Sequence, residues 1–425
     1  MRVAFWFLFV FAIAVVLAMV VGGNTAVVTL FWAPYRVDVS FNFAITVLII
    51  VFIVTHITWR SISALLKLPE QARIWRQSQR ERALHQTLLH AEAHLASGRY
   101  TRASKEAKQV MNWLQEHPEM NELGHTASLQ QSIATLTAAK AHHFLQDLTQ
   151  RDQLIEQAIE MAKQSKLSPV QDAIALQVAS WALERNDGKL ALQQLSNLSA
   201  GAIRRTAALR LKLRALQALK EAGKALETGR LLIKHRAFSK VASQSLIRGL
   251  CFALFEQSRD ANQMQNAWAM LQVEEKQQIE VVCFAAKRMS QVDGSSLTVR
   301  QWLLPVWEQH IYKNSAEKLD IAVVRKLVLA LQEHLQDLDA TWLANIEKAY
   351  LKRPNEASLQ YLFGLACLQQ KLWGKAEVLL SASATGLKGT EFERQTWCAL
   401  AALSEQKGMQ EKAALYYKQA ALVSE

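Results

Sequence analysis

Residues 88–111 read LLHAEAHLASGRYTRASKEAKQVM, and residues 396–422 read TWCALAALSEQKGMQEKAALYYKQAAL. Each is an amphipathic stretch, a glycine, and a second amphipathic stretch. In the first, a helix carrying Ala91 is predicted to end near Ser97, turn through Gly98, Arg99 and Tyr100, and resume with Ala103 and Ala107. In the second, Trp397 and Ala401 precede Gly408, and Ala413, Tyr417 and Ala420 follow it. An alanine stands five positions after each glycine, and another packing residue, Ala107 or Tyr417, comes four later. Two antiparallel helices joined by a tight turn approach closely only where facing side chains are small, and glycine reaches backbone conformations forbidden to most residues. Trp397 and Tyr417 are expected to fill the space between neighbouring helix pairs. The layout resembles the tetratricopeptide repeat, a helix–turn–helix unit of about 34 residues.

Working outward, LQYLFGLACLQQKLWGKAEVLLSASA (residues 359–384) places Phe363, Gly364, Trp373, Ala376 and Leu380 on the matching positions. Ala349 and Pro354 close the repeat before it, the proline stopping the helix. Residues 138–162, 173–195 (with Trp181 and Gly188) and 207–232 (with Gly223) each suit a helical hairpin, with the signature incomplete. Residues 239–333 show helices with large apolar faces and no evident period; residues 291–307 suggest a loop, then a helix kinked or ended near Pro305. Only 15 glycines and 6 prolines occur in 425 residues, too few turn formers for a sandwich, a propeller or a glycine-looped nucleotide enzyme. The expected fold is all-α.

The amino end is different. Residues 3–21 carry no polar or charged side chain, and residues 41–59 are uncharged, closing on Trp59. Either stretch is long enough to cross a hydrocarbon core. The apolar core of the first is longer than that of a signal peptide, and a second span follows it. The predicted plan is a first transmembrane helix (1–22), a short periplasmic loop (23–40), a second transmembrane helix (41–59) and a basic juxtamembrane segment (60–83). N-terminal helical repeats (84–238), a degenerate helical region (239–338) and C-terminal tetratricopeptide-like repeats (339–425) complete it. The net charge is +12, and Arg60, Lys67, Arg73, Arg76, Arg80 and Arg82 crowd directly after the second span against only Glu70 and Glu81. By the positive-inside rule this belt keeps both termini and the repeats cytoplasmic, with lipid headgroups as its partner. A single Trp75 within the run argues against nucleic acid. A second basic run, Arg204, Arg205, Arg210, Lys212, Arg214 and Lys220, is a solvated face or a partner-binding surface.

No phosphate loop, H-E-x-x-H, C-x-x-C-H or G-x-S-x-G is present, so no catalytic residues, cofactor or metal are expected. Cys251, Cys283, Cys367 and Cys398 are far apart and read as buried thiols in a reducing compartment. An alternative reading, a haem or porphyrin carrier, would use His56, His90 or His94 as an axial ligand. The plainer expectation is an interfacial His56 hydrogen-bonded near Thr55 and Thr58, with His90 and His94 in ordinary surface or inter-helix roles. His142 and His143 are adjacent and point apart on a helix.

Two spans, a basic belt, a hairpin containing HLASGRYTRASKEAKQVM and degenerate repeats ending in well-formed ones resemble the HemY family of proteobacterial inner-membrane proteins. The resemblance implies a place in late protoheme biosynthesis at the bacterial inner membrane, as a non-catalytic scaffold or regulator that binds pathway enzymes through its repeats. The alternative is an anchored repeat scaffold for envelope assembly or proteolysis. A flavin-dependent protoporphyrinogen oxidase shares the family's name, and the missing dinucleotide fingerprint argues against that identity.

Overall fold

The computed structural model describes residues 8–9, 11–16, 25–117, 125–164, 166–313 and 320–423. The expected first span, residues 3–21, lies largely outside the described residues; those described, 8–9 and 11–16, are helical and exposed. The chain divides into two compact units, Met1–Ala158 and Ile159–Glu425.

In the first unit the stretch expected as a loop is a β-hairpin. Strands β1 (Val27–Trp32) and β2 (Tyr35–Ser40) pair antiparallel from Val27↔Ser40 to Trp32↔Tyr35, around an Ala33-Pro34 turn. Ser40 then caps α1 (Phe41–Ala96), accepting from the Phe43 N–H at 3.3 Å. At 1.5 Å per residue, α1 is ~84 Å long. Its first part, Phe41–Ser63, is long and apolar enough to cross a membrane, and none of its side chains is buried among the described residues. The helix runs on through Pro69 and the basic segment, and among the described side chains the first that it buries are Leu84, Leu88 and Ala91. The apolar segment and the first repeat helix are thus one element.

Helices α2 (Tyr100–Glu116) and α3 (His125–Phe144) pack beside it, and α4 (Leu148–Gln164) follows in the chain. Ala91, Ala103, Ala107, Ala134, Ala138 and Ala141 are buried where these helices meet. The small residues let the backbones approach, as ridge-into-groove packing of antiparallel helices requires.

The second unit continues with helical hairpins: α5 (Ser168–Glu184) with α6 (Gly188–Ser196), then α7 (Thr206–Ala218) with α8 (Ala222–Lys234). Next come α9 (Lys240–Glu256), α10 (Ala261–Ala269), α11 (Val273–Lys276), α12 (Ile279–Gln291) and α13 (Ser296–Trp307). Pro305 lies inside α13, which passes into a π-helical turn at Glu308–Lys313. A proline interrupts the i→i−4 ladder, and a widened turn is one way a helix absorbs the loss. The unit closes with α14 (Ile321–Gln332), α15 (Ala340–Lys352), α16 (Ala357–Gln369), α17 (Trp373–Gly386), α18 (Glu393–Gln406) and α19 (Gln410–Leu422). One apolar cluster runs from Leu209 to Leu403, with Phe255, Trp307, Phe363 and Phe392 fully buried in it.

The hairpins share a turn. Its first residue is left-handed, at Gly98 (φ 77), Gln146 (61), Lys166 (51), Asn186 (60), Lys220 (57), Lys371 (59) and Gly408 (73). The next residue is the helix N-cap at Arg99, Asp187, Glu221, Leu372 and Met409. Five positions after the left-handed residue, Ala103, Ala191, Ala225, Ala376 and Ala413 are all buried. Non-glycine residues in this conformation are uncommon, and here they hold the turn in five of the seven hairpins just named.

Candidate interaction surfaces

The residues expected to pack the repeats fall mostly inside. Ala349, Gly364, Leu380, Ala401 and Ala420 are buried, Tyr100 and Trp397 half-buried, and Pro354 lies exposed in the turn after α15. Gly364 is required by its neighbour: a Cβ there would sit 2.8 Å from the Leu380 Cγ. Tyr417 does not fill the space between pairs. It is exposed, its hydroxyl 3.2 Å from Glu405, and the adjacent Tyr416 stacks on Trp397 at 5.8 Å instead. Trp373 is also exposed, at the first position of α17.

The first unit holds a polar trio in which Ser104 and His142 are nearly buried and Asp147 is partly exposed. Ser104 Oγ on α2 lies 2.9 Å from His142 Nε2 on α3, and His142 Nδ1 lies 3.1 Å from Asp147 Oδ2. The order matches a serine–histidine–aspartate relay, yet Ser104 and His142 are only 6% and 8% exposed, which leaves a substrate carbonyl no path to the hydroxyl. Asp147 also accepts from the Gln150 N–H at 3.2 Å, so the trio clamps α2, the end of α3 and the start of α4 together. His143 points elsewhere, accepting from Arg151 at 3.2 Å. Arg151 occupies the position that alanine takes in other hairpins, and its guanidinium, almost fully buried, bonds Asp152.

The histidines considered for haem do not converge. His56 is exposed on α1 and lies over Phe52 at 6.4 Å; the Thr55 and Thr58 hydroxyls donate to the Val51 and Val54 carbonyls of their own helix, not to His56. His94 Nε2 is 3.4 Å from Glu106 on α2, and His90 is exposed one turn earlier. Among the described residues no three His, Cys, Asp or Glu side chains gather as a metal site.

Of the basic belt, Arg60, Arg76, Arg80 and Arg82 are exposed along α1; the side chains of Lys67 and Arg73 lie outside the described residues. In the second basic run, Arg204, Arg205, Arg210, Arg214 and Lys220 are exposed and Lys212 half-buried. Arg210 is fixed, donating to the Ala237 carbonyl at 2.9 Å and lying over the Phe238 ring at 5.3 Å.

A groove of about 480 Å³ opens in the second unit between α9, α12 and α14, with the start of α18 at one end. Phe252 and Phe284 stack at 4.2 Å on its wall, and Glu280 pairs with Lys326 at 3.2 Å. Burial pushes the Glu280 carboxyl up, but its position at the start of α12, with backbone N–H groups and the Lys326 and Arg248 charges, brings it below the usual range. Cys283 donates weakly to the Lys326 carbonyl at 3.5 Å, and burial pushes its thiol up to about 12, which disfavours the thiolate. Nearby, the Tyr361 hydroxyl donates to Gln332 at 3.1 Å, and burial raises it above the ordinary tyrosine value. No motif marked this groove; its residues come from helices far apart in sequence, and only the solenoid register of the first helix in each hairpin could have pointed to them.

Residues 26–133 match the family described as HemY protein N-terminus. The match begins at the β-hairpin, takes in the whole of α1 and ends within α3, so this part of the chain is similar to the HemY N-terminus. No curated protein matches the chain. Solved structures with some likeness include the APC/C hetero-tetramer Cut9-Hcn1, 14% identical, covering 78% of this chain and 64% of that one, with a TM-score of 0.28. Naa15/Naa10 bound to HypK-THB is also 14% identical, over 77% of this chain and 51% of the other, at a TM-score of 0.27. The apo form of RapI is 13% identical, over 80% and 96%, at 0.29. The chain therefore spans half to two-thirds of the first two, and at these scores the helical hairpins described above stand on their own geometry.

Proposed function

We propose that this protein is a non-catalytic, membrane-anchored scaffold of late protoheme biosynthesis, holding a pathway enzyme or its regulator in the repeat groove near the bilayer. The observation that carries the reading is α1, a single helix that begins as an apolar span and ends as the first helix of the repeats, inside the stretch similar to the HemY N-terminus. Between Ser63 and Leu84 it holds the repeats roughly 30 Å from the end of the span. Arg60, Arg76, Arg80 and Arg82 on that stalk favour the cytoplasmic side, where anionic headgroups attract them. The two-pass topology and the inner membrane as its location belong to the same reading. The absence of a bound cofactor does too, supported by the pairing of His94 with Glu106.

Crosslinking and affinity purification of the intact protein from its own membranes, with porphyrins quantified in a strain lacking it, tests the assignment. Recovery of a porphyrin-pathway enzyme together with accumulation of that enzyme's substrate is expected. Envelope factors with unchanged porphyrins would replace the pathway while keeping the anchored repeats. A haem titration that produces a Soret shift lost on His94→Ala would replace the scaffold by a carrier.

A further inference from the structure

The β-hairpin sorts its side chains by face. Successive strand residues point to opposite sides, so the register puts the pairs Val28↔Val39, Leu30↔Val37 and Trp32↔Tyr35 together on one side. Val27↔Ser40, Thr29↔Asp38 and Phe31↔Arg36 share the other. The first face is wholly apolar, and its outer end is bare: Trp32 is 80% and Tyr35 72% exposed, with Leu30 and Val37 at least half exposed. The second face is mixed: Thr29, Arg36, Asp38 and Ser40 stand beside exposed Val27 and Phe31, with Arg36 lying 5.5 Å over the Phe31 ring and pairing with Asp38 at 3.4 Å. A lone two-stranded hairpin is marginal in water, so a six-residue apolar face on one needs a cover.

The root of the hairpin says what the cover is. Ser40 is both the last residue of β2 and the cap of α1, and the Phe41 N–H donates to the Ala26 carbonyl at 3.0 Å. Both strands are therefore tied to the first turn of the apolar helix Phe41–Ser63. Where that helix enters a bilayer, the hairpin starts at the lipid surface. We propose that the hairpin lies on that leaflet, its Val28–Trp32–Tyr35–Val39 face against the headgroup and acyl boundary, with Arg36 and Asp38 toward water. Tryptophan and tyrosine favour this depth. The outer strand edges, which cannot enter hydrocarbon unpaired, keep headgroups and water as partners. Docked this way, the hairpin fixes the depth and rotation of α1, and through that one helix the placement of the first repeat. The proposal rests on reading Phe41–Ser63 as a membrane span.

The test moves one indole across the hairpin in the full-length protein in phospholipid nanodiscs. The emission belonging to Trp32 is the difference between the protein and Trp32→Phe, since the other eleven tryptophans of twelve are common to both. The doubly substituted chain, Phe31→Trp with Trp32→Phe, reports the other face while keeping both aromatic positions. Lipids brominated just below the headgroup are expected to quench most of the Trp32 emission and iodide little of it, with the pattern reversed for the indole at position 31. Iodide quenching at both positions means a hairpin free in water; shielding from both quenchers at both positions means a protein cover; lipid quenching at both means the whole hairpin is immersed. Each of these overturns the proposal. Flotation with vesicles after an alkaline wash is run alongside. A chain that floats while the quenching pattern fails loses the hairpin proposal alone, whereas a chain left in the wash loses the span reading and the proposal with it.

Discussion

Between residues 84 and 158, among the described residues, the buried side chains are alanines, a few larger aliphatic groups, and Ser104, Gln130, Ser132, Thr135, Thr137, His142 and Arg151. Between residues 209 and 403 the interior is instead a continuous aliphatic cluster with large rings set into it, Phe255, Trp307, Phe363 and Phe392 among them fully enclosed. Both regions are stacks of helical hairpins, so the same architecture tolerates two kinds of interior. The first gains its definition from hydrogen bonds that fit only one arrangement, because a buried polar group left unpaired is costly. The second gains it from volume, because a close-packed interior has little room for rearrangement. Mutations that delete bulk should therefore hurt the second region most, and mutations that delete a partner should show coupling in the first.

The largest expected effect comes from removing bulk. Phe255→Ala, whose ring lies 6.3 Å from Trp268 and 6.4 Å from Phe284, should destabilise the second unit by ~3–5 kcal/mol, through lost burial and the cavity left behind. Urea unfolding of the full-length protein in detergent, followed by far-ultraviolet circular dichroism, measures it. A loss below about 1 kcal/mol would mean that the ring cluster collapses freely and is not close-packed. In the first unit, Ser104→Ala and His142→Ala should each cost ~1–3 kcal/mol, because each leaves a nearly buried partner unsatisfied. The double substitution should cost less than the sum, by ~0.5–3 kcal/mol, as expected of groups sharing one hydrogen bond. Strict additivity would show that the trio is not a clamp.

Much of this was readable in advance where glycine marks the turn. Gly98 and Gly408 carry the left-handed backbone, and the spacing to Ala103 and Ala413 follows. The middle was illegible because the same turn is held there by Gln146, Lys166, Asn186 and Lys220, residues with no signature of their own. The buried alanines at 191 and 225 keep the spacing, so counting from helix starts would have fixed the register of the two hairpins, 173–195 and 207–232, whose signature was incomplete. The β-hairpin had a signal too: Val28, Leu30 and Trp32, then Tyr35, Val37 and Val39, alternate with period two, but between two apolar spans they read as connection. The groove was beyond reach, since its wall is assembled from helices about 40 residues apart in the chain. A smaller effect probes the turn itself. Gly408→Ala should destabilise by ~1 kcal/mol, since a Cβ is disfavoured at φ 73, whereas Lys371→Gly, at φ 59, should be neutral or stabilising by less than ~1 kcal/mol. Equal destabilisation by both would detach the repeat register from backbone conformation.

The smallest effect asks whether the ring-packed region contains a polar weak point of its own. His334, just after α14, is buried, with Nε2 3.1 Å from the Ala286 carbonyl and 3.0 Å from Ser290 Oγ, and Nδ1 3.4 Å from Ser296 Oγ. Donation from Nε2 to Ala286 leaves Nδ1 unprotonated to accept from Ser296, so the ring fits its site as a neutral group. Burial lowers the imidazole below its ordinary value, with the nearby Arg300 adding to the shift, while the Ala286 bond and Glu333 oppose it. Arg300 cannot move away, because its guanidinium donates to the carbonyls of His334 and Gln336 at 2.8 Å and of Asp337 at 3.0 Å. Above the unfolded value of about 6.5 the ring is neutral in both states and the full stability of the site is present. As pH falls below that, the unfolded chain binds a proton that the folded chain refuses, and stability declines until the lowered folded value is reached. The midpoint of thermal unfolding should therefore drop between pH 7.5 and 5.5 more steeply for the natural protein than for His334→Gln, whose amide can still donate to Ala286 but does not titrate. Parallel pH profiles for the two proteins would place any acid sensitivity elsewhere, and the ring-packed region would then owe nothing to this histidine's charge.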